Sequence, residues 1–204
     1  MQGKFITLEG IEGSGKSTNL EIVKNILDKN KIDYVLTREP GGGPLGPHLR
    51  KLLLDKDQSI SPSVEMLLMM ADRKDHIDNL INPNLEKGVW VISDRYLDST
   101  IAYQGGGRRL DINVITSLSE ALKLPTPDLT ILFDLPVDIA LQRAEERSEL
   151  DRFEREPQDF HSRIRDSYLR LASSNHRIKT VDSSKDVESV SLQVEKHLTD
   201  FLNA

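Results

Sequence analysis

Gly10-Ile11-Glu12-Gly13-Ser14-Gly15-Lys16-Ser17 follows a short apolar run ending at Glu9 and has the form G-x-x-x-x-G-K-[ST]. Glycine tolerates positive φ angles, so such a loop can turn several backbone N–H groups inward around a phosphate. In this pattern the lysine, Lys16, reaches the β and γ phosphates of a nucleoside triphosphate, and the Ser17 hydroxyl is placed to ligate Mg²⁺. The helix expected to open at Ser17 adds the positive end of its dipole. A strand before the loop and a helix after it are the context that separates a phosphate loop from a chance glycine-rich turn.

Outward from the loop, short β-rich runs alternate with longer helical patterns. The strand candidates are Lys4–Glu9, Asp33–Thr37, Val89–Ser93, Leu129–Asp134 and Ile178–Asp182. Four of them hold consecutive apolar residues, as strands buried on both faces do. Helices are expected over Ser17–Lys29, Leu45–Leu54, Ser63–Ile81, Ile112–Leu122, Val137–Glu146, Asp159–Ser173 and Val187–Leu202. The alternation predicts an α/β fold, a five-stranded parallel sheet with helices on both faces, as a single domain over residues 1–204. In such sheets ligands sit outside the carboxyl ends of the strands. Those ends carry the unusual segments: Gly10–Lys16, Arg38–Gly43, Asp94–Tyr96 and the charged stretch after Asp134.

Composition narrows the function. With 27 Lys and Arg against 33 Asp and Glu, the net charge is −6. That argues against a duplex nucleic-acid binder, which needs a large positive face, but leaves room for a single nucleotide. The chain has no cysteine, so disulfides and thiolate metal sites are impossible. The N-terminal apolar stretch is too short for a signal segment, and no run approaches the roughly 18 apolar residues of a membrane span. These features predict a cytoplasmic enzyme with no membrane or nucleic-acid partner. Asn30-Lys31-Ile32-Asp33 matches the guanine-reading pattern NKxD, but it falls too early in the chain for that role and reads as a polar turn.

A phosphate loop is shared by kinases, GTPases and motor ATPases. Further motifs decide between them: GIEGSGKST (10–18), TREPGGG (37–43), ADR (71–73), SDRYLDST (93–100), AYQGGGR (102–108) and LDRFE (150–154). In this order and spacing they resemble the bacterial thymidylate kinases, from residue 4 to about 172. The resemblance implies a P-loop nucleoside-monophosphate-kinase fold with a short lid at about 143–154. It implies transfer of the ATP γ-phosphate to dTMP with Mg²⁺, and homodimers built on the long third helix. It also implies a sharp turn with a cis Glu39–Pro40 bond in the loop that meets the acceptor. The alternatives from other classes are another small-molecule or deoxynucleoside kinase and a GTPase-type switch.

Residue by residue, the resemblance places Gly10, Ile11, Glu12, Gly13, Ser14, Gly15, Lys16 and Ser17 around ATP, with Ser17 and Asp94 holding Mg²⁺. Glu12 matches the loop carboxylate that binds the acceptor sugar 3′-OH; its alternative is a partner for the helix dipole. Arg50 and Arg95 match arginines that grip the acceptor phosphate, a task suited to a planar fork; Arg50 reads equally as an exposed helix charge. Arg73 matches the arginine that bonds thymine O4, with Thr100 near the pyrimidine N3. Glu39, Pro40, Ser99 and Gln104 line the acceptor pocket. Tyr103 crowds out a ribose 2′-OH, or else is a half-buried helix tyrosine. Where the family stacks Phe on the base, this chain has Met69, whose contact is more adaptable and which also reads as core filling. The phosphate loop carries no arginine, so the transition-state cation is expected from the lid, with Arg143, Arg147 and Arg152 as candidates and Arg147 foremost. Lys16, Arg95, Arg147 and Glu12 form the expected catalytic set.

Overall fold

The structure, a computed structural model, describes residues 3–147 and 150–203. Its sheet has five parallel strands in the order β2-β3-β1-β4-β5: β1 (Phe5–Glu9), β2 (Tyr34–Arg38), β3 (Trp90–Asp94), β4 (Leu129–Asp134) and β5 (Ile178–Asp182). The chain passes from β1 outward to β2, returns through β3, then crosses to β4 on the other side of β1. The loop after β1 therefore lies at the point where the strand order reverses, the place where open α/β sheets bind ligands.

Alternation along β1 divides the core. Ile6 and Leu8 pack with α1 (Lys16–Lys29) and α9 (Val187–Leu202) through Val23, Leu27, Val190, Val194 and Leu198. Phe5, Thr7 and Glu9 point to the other face, where Phe5 meets Tyr96 and, just beyond α3 (Pro62–His76), Ile77 and Ile81. All five β1 side chains are fully buried, including the carboxylate of Glu9. The edge strands β2 and β5 carry exposed positions instead, and β2 has no fully buried one, so the expectation of strands buried on both faces holds for the three central ones.

Two helices differ from the expectation. The third starts at Pro62, and its N-cap is Ser61, whose side chain accepts from Val64 N at 3.5 Å, rather than starting at Ser63. It then runs on through a π-helical turn, Ile77–Ile81, into α4 (Asn82–Glu86). The segment after Tyr96 is not among the helices expected from the sequence, apart from the alternative reading of Tyr103 as a helix tyrosine. It forms α5 (Leu97–Thr100), which widens into a π-helical stretch, Ile101–Gly107, with Arg108 N donating to Tyr103 O five residues back at 2.8 Å. The glycines serve a helix crossing: a Cβ at Gly106 would stand 2.7 Å from Ser167 Cβ on α8 (Gln158–Ser174). The remaining helices are α2 (Gly46–Leu54), α6 (Ile112–Ala121) and α7 (Val137–Arg147). Among the described residues no helix is long and apolar enough to cross a membrane.

Candidate active site

The carboxyl ends of β1, β2 and β3 open into one cavity of about 760 Å³. The phosphate loop lines it from Glu12 to Ser17, and the opposite wall is built by Arg38, Glu39, Pro40, Arg50, Met69, Arg73 and Gln104. Asn30 and Lys31 cap the far end of α1, before β2 begins, so the NKxD match lies at the other edge of the sheet from the cavity.

The loop adopts the conformation its glycines allow: φ is +142° at Gly10, +71° at Gly13 and +86° at Gly15. A Cβ at Gly13 would lie 2.2 Å from Ala140 O of α7, so a side chain there would clash with backbone. Lys16 Nζ donates to Gly10 O (2.9 Å), Ile11 O (3.1 Å) and Ser14 Oγ (3.3 Å). Burial, reinforced by the charge of Arg95, brings its ammonium down to about 8 despite Asp94, Glu12 and Glu9 nearby. The Ile11 side chain is buried in the core cluster with Tyr103 and Phe153 and is not among the cavity-lining residues.

Glu12 points across the cavity rather than along its own helix. Arg95 Nη2 donates to its Oε1 at 2.8 Å and Tyr103 Oη to its Oε2 at 2.6 Å. Burial would raise the Glu12 carboxyl, but Arg95, Lys16 and the Tyr103 hydrogen bond outweigh it and hold the carboxyl below its ordinary value. Arg95 has φ +72° and stacks over the Tyr103 ring at 4.9 Å. Its Nη1 reaches Ser99 Oγ (3.2 Å) and Tyr168 Oη (3.3 Å).

Arg73 is 2% exposed, and a buried cation needs compensation on every side. Its Nε donates to Glu39 Oε2 (2.7 Å), Nη1 to Thr100 Oγ1 (2.8 Å) and Nη2 to Tyr96 O (2.9 Å). Glu39 Oε1 lies 2.9 Å from His76 Nδ1, and His76 Nε2 lies 2.7 Å from Thr37 Oγ1. The Glu39–Pro40 bond is cis. Arg50 Nη1 donates to Pro40 O at 2.7 Å, which makes it a cavity wall and not a solvated helix charge. Asp72 accepts from Gly41 N at 3.0 Å, and burial raises its carboxyl to about 6.

The lid arginines separate. Arg143 lies on α7, lines the cavity and donates to Ser183 O at 3.0 Å. Arg152 is turned away from the cavity in this conformation. Its Nη1 pairs with the buried Glu65 at 2.6 Å, its Nε donates to Leu53 O at 2.9 Å, and it packs on Phe153. Glu65 also accepts from Gln104 Nε2 (2.8 Å) and Arg108. Arg147 ends α7, and its side chain lies outside the described residues, as do residues 148 and 149 of the expected lid.

Asp94 Oδ1 is buried with no hydrogen-bond partner among the described residues, and Ser17 lines the same cavity. An orphaned carboxylate oxygen in a cavity also lined by a serine hydroxyl fits Mg²⁺ taken up together with a triphosphate, directly or through water. Among the described residues no cluster of three metal-ligating side chains exists, which leaves phosphate oxygens and water to complete such a site.

Two residues were not anticipated. Glu9 Oε2 lies 2.6 Å from Ser99 Oγ and 2.8 Å from Tyr168 Oη, the two hydroxyls are 2.8 Å apart, and Tyr96 N donates to Glu9 Oε1 at 2.8 Å. Burial, with Asp98 adding to it, raises the Glu9 carboxyl to about 7 against the pull of Ser99, Arg95 and Tyr168. The available signal was a carboxylate ending an otherwise apolar strand; Tyr168 gave none, because a tyrosine on an amphipathic helix is ordinary core.

A family model for thymidylate kinase matches residues 8–194. A thymidylate kinase of Carboxydothermus hydrogenoformans is 46% identical over 199 residues, 97% of this chain and 98% of that one. One from Ruthia magnifica subsp. Calyptogena magnifica is 48% identical over 196 residues, 95% of this chain and 96% of its own. The crystal structure of thymidylate kinase from Ehrlichia chaffeensis superposes with a TM-score of 0.78 at 34% identity, covering 98% of this chain and 99% of that one. The phosphate loop at the reversal of strand order, the facing wall of arginines and these full-length matches lead to one assignment: this chain belongs to the thymidylate kinase family.

Proposed function

We propose that this nucleoside monophosphate kinase transfers the γ-phosphate of Mg·ATP to dTMP, giving dTDP and ADP, with the two walls of one cavity dividing the work. The carrying observation is that Glu12, on the triphosphate-binding loop, is tied to Arg95 and Tyr103 of the facing wall. Donor and acceptor therefore meet over a single charged contact.

On the donor side Gly10–Ser17 wraps the triphosphate with backbone N–H groups. Lys16 exchanges its three loop acceptors for β and γ phosphate oxygens. Mg²⁺, held by Ser17 and through water by Asp94, would neutralise charge on the phosphates. On the acceptor side Arg95 and Arg50 receive the dTMP phosphate, Arg73 and Thr100 the thymine edge, and Tyr103 the deoxyribose. Glu39, Pro40, Ser99 and Gln104 shape this wall, and Met69 lies over the base. The acceptor phosphate is already ionised near neutral pH, so attack on the γ-phosphorus requires no strong general base. Catalysis is then alignment and electrostatic stabilisation, with Arg147 or Arg143 brought to the migrating phosphoryl group by lid closure.

The same reading takes residues 1–204 as one catalytic domain working in the cytoplasm as a homodimer. Val64 and Leu67, one turn apart on α3 and about half exposed at 48% and 53%, support a partner along that helix. Light scattering on the purified protein tests the dimer. A panel of dTMP, dUMP, dCMP, UMP and thymidine with ATP tests the function. Turnover should be greatest with dTMP; preferential phosphorylation of thymidine, or ATP hydrolysis indifferent to every acceptor, would overturn the assignment.

A further inference from the structure

Beneath Arg95, three oxygens form a closed triangle: Glu9 Oε2 to Ser99 Oγ at 2.6 Å, Ser99 Oγ to Tyr168 Oη at 2.8 Å, and Tyr168 Oη to Glu9 Oε2 at 2.8 Å. Each edge has hydrogen-bond length, and each such edge needs one proton. If Glu9 is ionised, the only protons available are those of the two hydroxyls. Both would be spent on the carboxylate, leaving lone pair against lone pair on the third edge. Elsewhere the oxygens are already committed. Glu9 Oε1 accepts from Tyr96 N at 2.8 Å, and the fork of Arg95 Nη1 is a donor to both hydroxyls at 3.2 and 3.3 Å, so it supplies nothing between them. With one more proton, on Glu9, the triangle closes as a ring in which every member donates once. Both hydroxyl oxygens then still accept from Arg95.

From this count we infer that Glu9 is held as a neutral acid beneath Arg95 and is a positioning residue for the acceptor phosphate, keeping the arginine's charge available to it. This rests on the reading that Arg95 receives that phosphate. Arg95 is already paired with one carboxylate, Glu12. A second anion directly behind it would compete with the incoming phosphate and draw the guanidinium down into the wall.

Charged and titratable groups face Glu9 from several elements. Asp98 on α5 opposes ionisation, but its own charge is shared with Arg177 through contacts of 2.8 and 2.9 Å. Arg95, from the turn after β3, favours ionisation. Lys16, at the start of α1, also feels Glu9. From α8 it is the Tyr168 hydroxyl that faces Glu9, and burial keeps it far from ionising. The burial of Glu9 outweighs the two cations, in agreement with the proton count.

The test is the KM for dTMP at saturating ATP from about pH 6 to about pH 8.5, in the wild type and in Glu9→Gln, whose amide cannot ionise. In the wild type KM should rise about three- to tenfold above pH ~7 as the acid ionises. The second ionisation of the acceptor phosphate, near pH ~6, acts in the opposite sense by supplying more dianion. Glu9→Gln should stay within about twofold of wild type at low pH and lose the rise. Its infrared difference spectrum against wild type at low pH should show the carbonyl stretch of a protonated carboxyl that disappears at high pH. A flat wild-type KM at good turnover would overturn the inference even if the variant does not fold. A variant that keeps the rise, or one with a tenfold higher KM at pH ~6, would overturn it as well. Failure of dTMP to act as acceptor at any pH would instead strike the acceptor assignment, while the infrared band, measured without substrate, would still decide the state of Glu9.

Discussion

The two walls of the cavity are built by opposite means. The donor wall is backbone: three glycines with positive φ and a helix start, all within eight consecutive residues. The acceptor wall is side chain: Arg73, Glu39, His76, Thr37 and Thr100 come from three separated segments and hold one another through contacts of 2.7–2.9 Å. A triphosphate presents the same oxygens in every enzyme that uses it, so a local turn suffices. An acceptor must be told from its analogues, which takes polar groups fixed by other buried groups. Damage to the donor wall should therefore fall on turnover or ATP affinity, and damage to the acceptor wall on acceptor use.

The largest effect is expected where the walls meet the migrating phosphoryl group. Arg152 is occupied by Glu65 and Leu53, which leaves Arg143 and Arg147, one turn apart on α7. Arg147→Ala should lower kcat by at least ~10² with little change in either KM, and Arg147→Lys should recover only part of it, since a point charge does not bridge two oxygens. A kcat within about threefold of wild type in steady-state assays would move the role to Arg143.

Next in size is Glu12, which belongs to the donor loop in sequence and to the acceptor wall in contacts. Glu12→Ala removes the acceptor of both Arg95 and Tyr103. It should lower kcat/KM for dTMP by roughly 10–150-fold while leaving ATP affinity nearly intact. Loss of ATP affinity with unchanged acceptor kinetics would show that the loop, and not the wall, depends on this carboxylate.

A smaller, pH-dependent effect separates the walls again. Lys16, lowered to about 8, is protonated below that pH and neutral above it in the free enzyme. A triphosphate binds the ammonium form, so ATP affinity should be full below pH 8 and fall above it by up to about tenfold per pH unit. Calorimetric titration of ATP across that range checks the slope. Lys16→Arg, which stays charged, should bind without the decline; an equal decline in both proteins would place the titration elsewhere.

This asymmetry also explains what the sequence disclosed. The phosphate loop, the parallel sheet and the strand ends were legible because each depends on neighbours close in the chain. Arg73, Arg95 and Tyr103 fall within quoted motifs and Arg50 was singled out by the resemblance alone, but the partners of all four were not legible. His76 reads as one more polar residue on a helix until the fold brings Glu39 and Thr37 to its two nitrogens. Glu9 and Tyr168, 159 residues apart, gave no joint signal. The helix through Ile101–Gly107 was missed because Gly105-Gly106-Gly107 reads locally as a breaker, whereas its role is to let α8 approach. Arg152 shows the converse: a motif arginine expected at ATP, which Glu65 and the Leu53 carbonyl hold against Phe153.

The smallest effect concerns the one position where the acceptor wall carries an adaptable side chain. Met69 is half-buried on α3, lines the cavity and packs against the cluster that includes Tyr103 and Phe153. Those contacts are compatible with a methionine lying over the thymine ring and equally with one that fills the core beneath it. The two differ in what a rigid ring would do there. Over the base, Phe adds a stacking contact of about 0.5–1.5 kcal/mol beyond area burial, so Met69→Phe should tighten dTMP binding roughly two- to twelvefold. In the core it adds volume to a packed cluster and should destabilise by about 1–3 kcal/mol. Measuring the dTMP Kd and the Tm of Met69→Phe together decides between them. Tighter binding at unchanged Tm places Met69 over the base. A lower Tm with unchanged Kd places it in the core and leaves base recognition to Arg73 and Thr100.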